Sequence, residues 1–140
     1  MIVVLMSQCT AVVQDRKEFA ATDTTRLVQV VLNDKKLESE LIKDFGDQQL
    51  KFVAGSVIKK KYNFVFAGKP VEIIPVKGDI YEIREQHPEG LYVSVPTVNL
   101  FPTDSATVSF IFHAGNATAL FFLKKKKEKW VIVDRRYGKF

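Results

Sequence analysis

The chain has 140 residues, of which 46% are hydrophobic and 26% are charged. This length predicts one domain, residues 1–140, that can bury an ordinary hydrophobic core, and the composition excludes an intrinsically disordered chain. No apolar run approaches the roughly 20 residues that a membrane-spanning helix needs. The net charge of +5, from 21 basic and 16 acidic residues, is typical of a soluble surface and does not favour nucleic-acid binding.

Residues 1–19 are predicted to be a head that is either flexible or signal-like. Cys9 is the one cysteine of the chain, which excludes an internal disulfide and the usual Cys/His zinc site. The apolar stretch before Cys9 is similar to a bacterial lipoprotein signal, but it has no basic segment and Gln8 replaces the preferred small residue. We favour a cytoplasmic protein and leave open export or lipid anchoring through Cys9.

Two amphipathic helices are predicted after this head. The first has an apolar stripe at helical spacing and three candidate N-cap residues, Thr22, Asp23 and Thr24. Asn33-Asp34 ends its pattern and caps the second helix, and Gly46 ends that helix. The apolar stripes are Leu27, Val28, Val31 and Leu32 in the first helix, and Leu37, Leu41, Ile42 and Phe45 in the second. Both stripes are expected to pack onto a sheet.

From Leu50 onward the hydrophobic pattern alternates with a period of two, which predicts strands. The predicted strands are residues 50–58, 62–68, 71–76, 80–85, 91–101, 105–113, 118–124 and 129–137. Helices that precede an antiparallel meander predict an α+β fold with the N-terminal helices packed on one sheet face.

Four consecutive lysines, Lys124 to Lys127, lie where two of these strands must reverse. A hairpin tip is solvated, and charge at this position discourages edge pairing with another chain. Contact with phosphates is the alternative, but no alternation of basic and aromatic residues accompanies the lysines. The pattern therefore predicts a solvated turn.

The stretch "DSATVSFIFHAGNATALFFLKKKKEKWVIVDRRYG", residues 104–138, resembles the nuclear transport factor 2-like superfamily. The resemblance implies a highly curved antiparallel sheet that forms a cone around N-terminal helices. The helical part is shorter than the three helices of many members, so either the cone is incomplete or the head supplies a helix. About a quarter of the chain carries the resemblance, and the rest agrees only in the order of elements.

Members of such a superfamily have many functions, so the fold does not select among them. One hypothesis is a non-catalytic domain for small-ligand binding or protein assembly, with a homodimer formed through the open sheet face or a small apolar ligand as its partner. The alternative is a small-molecule enzyme of the isomerase, dehydratase or hydrolase type with a pocket inside the cone. The scarcity of polar residues at inward strand positions favours the first hypothesis, and no cofactor is predicted.

His113 and Asp134 are the candidate catalytic residues, because a carboxylate beside an imidazole tunes it for acid–base chemistry. Strand alternation predicts that Trp130, Ile132 and Asp134 share one face. Against catalysis, His113 directly precedes a Gly-Asn turn and is then expected in water at the sheet rim. Asp134 precedes two arginines and is then expected in a surface ion pair.

Aromatic residues of the strands are candidates for a ligand pocket, although aromatic residues in strands more often belong to the core. The pocket candidates are Tyr62, Phe64, Phe66, Tyr81, Tyr92 and Trp130. Glu82, Glu85, His87 and Glu89 lie close together in sequence, but their spacing fits no metal-ligand motif, so no metal is predicted.

Overall fold

A computed structural model describes residues 22–46, 48–75, 91–113 and 117–139. The predicted head with Cys9 and the predicted strand at 80–85 lie outside these residues. Within the described ranges, no helix is long and apolar enough to cross a membrane.

Helix α1 covers residues 22–32 of the described chain. Its predicted apolar stripe is confirmed, because Leu27, Val28, Val31 and Leu32 are all buried. Residues 22–24 are helical, and the chain before them lies outside the described residues, so the predicted N-cap at Thr22, Asp23 or Thr24 stays a prediction.

Helix α2, Lys35–Phe45, begins and ends where the sequence predicts. The Asp34 side chain caps it by accepting a hydrogen bond from the Leu37 backbone N–H at 3.3 Å. Gly46 ends it with a φ of 66°, a left-handed value that favours glycine. Ile42 is an exception to the predicted stripe: it is 50% exposed, because only the residues spaced four apart, Leu37, Leu41 and Phe45, reach the core.

Nine strands follow the helices in the part of the chain that the structure describes. They are β1 (Leu50–Val53), β2 (Val65–Phe66), β3 (Lys69–Pro70), β4 (Glu72–Ile74), β5 (Leu91–Ser94), β6 (Val98–Phe101), β7 (Ser105–Phe112), β8 (Ala117–Lys126) and β9 (Lys129–Lys139). The main sheet has the order β4-β1-β5-β7-β8-β9, with β6 also paired to β7, while β2 and β3 form a separate hairpin. Strands β5–β9 pair antiparallel, as predicted. The prediction fails for β1, which is parallel to both β4 and β5.

Several predicted strands are shorter in the structure. The regular structure of residues 50–58 ends at Val53, and only Val65–Phe66 of residues 62–68 forms a strand. The predicted strand at 91–101 is interrupted at residues 95–97, because Pro96 has no N–H to donate to the ladder. β7 and β8 have nearly the predicted bounds, and β7 shows a strict alternation of buried and partly buried residues.

A β-bulge in β9 changes the faces on which its residues lie. Phe122 pairs with Asp134 and Leu123 pairs with Ile132, so Val133 is an extra residue without a partner in the ladder. The predicted shared face of Trp130, Ile132 and Asp134 was therefore wrong. Trp130 and Ile132 pack against the core, whereas Asp134 is exposed on the other face.

The core lies between the two helices and one face of the sheet. It combines residues of both helices with the inward side chains of the sheet and the hairpin, including Leu27, Leu37, Phe52, Phe66, Phe110 and Phe121. A bulge such as the one in β9 bends its strand and increases the local twist. The predicted α+β class, with N-terminal helices packed on a curved and mainly antiparallel sheet, is confirmed. Among the described strands the sheet is open, with β4 and β9 at the two ends of the strand order and β6 paired on one side only.

Candidate functional site

The space between the helices and the sheet is filled by phenylalanines at its centre. Phe52, Phe110 and Phe121 are at most 1% exposed. Phe110 makes edge-to-face contacts with both of the others, with ring centroids 5.8 Å and 5.7 Å apart. The centre of this space is thus packed hydrophobic core.

One ion pair joins the first half of the chain to the last strand on this inner side. Arg135 donates from Nε and Nη2 to the two carboxylate oxygens of Asp34, each at 2.7 Å. The Asp34 side chain is only 8% exposed. Arg135 faces inward because the bulge at Val133 shifts the alternation by one residue. This pair is not predicted from the sequence, because no local pattern indicates a bulge at Val133.

The two groups of this pair shift each other's pKa. The hydrogen bonds from Arg135 lower the pKa of Asp34 from its ordinary value of 3.8, although burial acts in the opposite direction. The hydrogen bond to Asp34 likewise raises the pKa of Arg135. Both groups are charged at neutral pH and are joined by a bidentate contact. This arrangement is typical of an ion pair that stabilises the fold and not of a proton-transfer site.

His113 lies on the opposite side of the sheet, which we call the outer face. It is 4% exposed, so the expectation that it lies in water was wrong. Its Nε2 is 2.7 Å from Ser94 Oγ, and its backbone N–H donates to the Tyr92 carbonyl at 3.1 Å. These contacts fasten the end of β7 to β5.

Asp134 is exposed on β9, as the alternative interpretation predicts. Its carboxylate accepts a hydrogen bond from the Arg135 backbone N–H at 2.8 Å and lies 3.6 Å from Arg136 Nε. Asp134 pairs with Phe122 of β8, and Phe122 pairs with Thr107 of β7. Thr107 lies six residues before His113 in the chain. At ~3.3 Å per residue the two side chains are roughly 20 Å apart along the sheet. The structure does not bring the candidate pair together.

The predicted pocket aromatics lie in three different places. Phe64 and Phe66 are buried in the core, with Tyr62 packed against the same cluster, and Phe66 also lines a cavity of about 230 Å³. Tyr92 is buried on the outer face beside Val53 and Ile74. Trp130 lines a cavity, and Tyr81 lies outside the described residues.

The first peripheral cavity to consider lies between α2 and the ends of β7–β9. Its volume is about 340 Å³, and its walls include Phe45, Phe112, Ala117 and Tyr137. Burial raises the pKa of Tyr137, and the charge of Asp34 acts in the same direction, so the phenol stays protonated at neutral pH. We call this the α2 cavity. It presents aromatic rings and one hydroxyl to a ligand, with the charged side chains of Glu40, Asp44 and Lys139 also in its lining.

A larger opening of about 550 Å³ lies between α1 and the tip of the β8–β9 hairpin. We call it the tip cleft, and its lining residues are Arg26, Gln29, Val30, Asn33, Lys125, Glu128, Lys129 and Trp130. The hairpin reverses at Lys127 and Glu128, whose φ values of 49° and 69° match a two-residue turn with left-handed central residues. The predicted turn is therefore present. Lys125 is the exception to the predicted solvation, because it is partly buried and its ammonium lies over the Trp130 ring.

The outer face of β7–β9 has a mixed surface. Ile111, Leu120 and Phe122 are partly buried there, beside the exposed charges of Asp134 and Arg136. The Arg136 guanidinium lies 4.9 Å from the centroid of the Phe122 ring. Both helices and the β2–β3 hairpin contribute their buried residues to the opposite side of the sheet.

The acidic and histidine residues weighed as a metal cluster, Glu82, Glu85, His87 and Glu89, lie outside the described residues. Within the described ranges, no group of three or more His, Cys, Asp or Glu side chains is arranged to hold a metal ion.

Comparisons with known proteins were made for both sequence and structure. No family model matches the sequence, and no curated protein matches it. The chain is similar to the crystal structure of a nuclear transport factor 2-like protein of unknown function from Shewanella baltica OS155. The similarity has 16% identity and a TM-score of 0.34, and it covers 88% of this chain and 93% of that chain.

Proposed function

We propose that the chain is a non-catalytic assembly domain that forms a homodimer through the outer face of its sheet. The observation that carries this proposal is the surface of β8 and β9, where Leu120 and Phe122 lie beside Asp134 and Arg136. Apolar side chains bordered by charges are typical of protein interfaces.

The charges favour a second copy of this chain as the partner. Asp134 and Arg136 are two residues apart on β9 and on the same face. A twofold axis between them places Arg136 of each copy against Asp134 of the other, because a dimer with this symmetry joins one surface patch to itself. The exposed Val131 enlarges the same surface near the hairpin tip.

The inner side of the sheet supports the non-catalytic part of the proposal. Its centre is filled by Phe52, Phe110 and Phe121, and its ionised pair, Asp34 with Arg135, is engaged in a bidentate contact. A substrate pocket needs convergent polar groups around open space, and packed rings do not provide that space.

Sedimentation velocity over a range of protein concentrations tests the dimer. The wild-type chain is expected to sediment as a dimer that dissociates on dilution. Leu120→Glu is expected to be a folded monomer. It should fold because the new carboxylate lies opposite Arg136 in the same copy. It should not dimerise because this carboxylate would be buried in the apolar part of the interface between copies. Val65→Glu is the matched control, since Val65 is 50% exposed on the separate hairpin. A monomeric wild type, or equal association of all three proteins, would contradict the proposal.

Small-ligand binding is a second candidate function, and the α2 cavity is the observation that favours it. Its volume of about 340 Å³ falls in the range of ligand pockets. Indole is a suitable apolar probe, followed through the amide NMR signals of Phe112 and Tyr137. Ala117→Leu adds volume to the cavity wall and is expected to abolish saturable shifts of these signals. Equal shifts in both proteins would place the indole elsewhere.

A further inference from the structure

We propose that the tip cleft binds a small anion that carries an aromatic ring, such as an aryl phosphate or aryl carboxylate. The cleft has a volume of about 550 Å³ and combines three basic side chains with the indole of Trp130. This site is separate from the outer face, and its proposal does not rest on the proposed dimer.

The cleft begins where the packed core ends. Toward the hairpin tip, Leu123 with Ile132 is the last inward-facing pair of the β8–β9 ladder in which both residues are aliphatic. The next inward-facing pair toward the tip is Lys125 with Trp130. A lysine at an inward position beneath a helix is unusual, because such positions normally complete the apolar layer. Among the described residues, the space under α1 at this end of the sheet is therefore open and basic.

The wall formed by α1 is held in place. The Gln29 side chain donates from Nε2 to the Val65 carbonyl at 2.8 Å and accepts from the Val65 backbone N–H at 3.0 Å. It also donates to Asn33 Oδ1 at 2.8 Å. These contacts fix the stripe Arg26, Gln29, Val30 and Asn33 opposite the hairpin. A cleft with fixed walls loses less entropy when a ligand binds.

The charge of the cleft selects anions. Arg26, Lys125 and Lys129 outnumber the single carboxylate of Glu128 among the lining residues. Over the described parts of the chain, no carboxylate lies within ion-pairing distance of Arg26 or Lys125. These two cations are thus available to a ligand, and charge-assisted hydrogen bonds to phosphate or carboxylate oxygens are stronger than neutral ones.

Trp130 selects the aromatic part of the ligand. Its ring is partly buried, and the Lys125 ammonium lies 6.0 Å from the ring centroid. An aryl group that stacks on the indole brings its anionic substituent to the same ammonium. The aliphatic side chain of Val30 completes the apolar part of the wall.

Trp130 is the one tryptophan of the chain, so its fluorescence reports on the cleft alone. Phenyl phosphate is the probe, with benzyl alcohol as the uncharged aromatic control and inorganic phosphate as the control without a ring. Phenyl phosphate is expected to change the emission saturably. Each control is expected to bind at least about tenfold more weakly than phenyl phosphate, because it lacks one of the two contacts.

Two variants and a matched control assign the binding to the cleft. Arg26→Gln and Lys125→Gln are each expected to weaken phenyl phosphate binding about tenfold. Lys60→Gln makes the same change of charge at an exposed residue that does not line the cleft, and it is expected to bind as the wild type does. The absence of a saturable change in the wild type overturns the proposal. An equal loss in all three variants also overturns it, because it shows a general effect of net charge.

Discussion

Arg135 of the last strand holds Asp34 of the α2 cap through two hydrogen bonds of 2.7 Å each, across 101 positions of sequence. The same carboxylate also accepts the Leu37 backbone N–H, so one side chain both begins a helix and ties it to the sheet. This contact fixes α2 over the inner face of the sheet.

Arg135→Gln is expected to lower the free energy of unfolding by about 2–3 kcal/mol, because it leaves the nearly buried Asp34 carboxylate without its cation. Urea denaturation measures the change. Lys35→Gln is the control, since its ion pair with Glu38 is at the surface and the lysine side chain is 90% exposed. That change is expected to cost less than about 0.5 kcal/mol. An equal loss of unfolding free energy in the two variants would show that the Asp34–Arg135 pair stabilises the fold no more than a surface ion pair does.

The lowered pKa of Asp34 predicts how stability depends on pH. A carboxyl whose pKa is lower in the folded state stabilises the fold above its unfolded pKa, and this contribution is lost as the pH falls through the folded pKa. Asp34→Asn keeps an N-cap side chain but removes the charge. The wild type is expected to be more stable than this variant at neutral pH, and the difference is expected to shrink below pH ~4. Urea midpoints across this range measure it, and a constant difference would contradict the account.

The tip of the β8–β9 hairpin is expected to be stabilised by glycine. Glu128 has a φ of 69°, a left-handed value that costs about 1–2 kcal/mol for a residue with a Cβ. Glu128→Gly is expected to raise the free energy of unfolding by about 0.5–1 kcal/mol, after the greater freedom of glycine in the unfolded chain is subtracted. Glu128→Ala removes the same charge and keeps the Cβ, so no gain is expected. Thermal unfolding of both variants separates backbone strain from charge.

Local patterns predicted the parts of the fold that depend on neighbours in sequence. The apolar stripe of α1, the Asp34 cap and the Gly46 terminus all follow from spacing or from backbone preference. The alternation of β7 likewise predicted which of its residues are buried. Each of these features is decided within a few residues of chain.

Other features depend on partners that are distant in sequence. The alternation of "WVIVD" continues without a glycine or proline, so nothing in it announces the bulge at Val133. That bulge turns Asp134 outward and Arg135 inward, which reverses the predicted faces. The parallel pairing of β1 and the burial of His113 against Ser94 are also tertiary contacts that strand periodicity does not specify.

The most direct test of the assembly proposal exchanges the charges of Asp134 and Arg136 between two copies of the chain. Asp134→Arg alone places two arginines of one copy against two of the other, and Arg136→Asp alone does the same with carboxylates. Each single variant is therefore expected to be monomeric, because like charges oppose each other across the twofold axis.

Sedimentation velocity of an equal mixture of the two variants is the measurement to make first. Each arginine then faces an aspartate of the other copy, so the mixture is expected to form a heterodimer of wild-type affinity. A mixture that stays monomeric, or single variants that dimerise as the wild type does, would contradict a homodimer through the outer face.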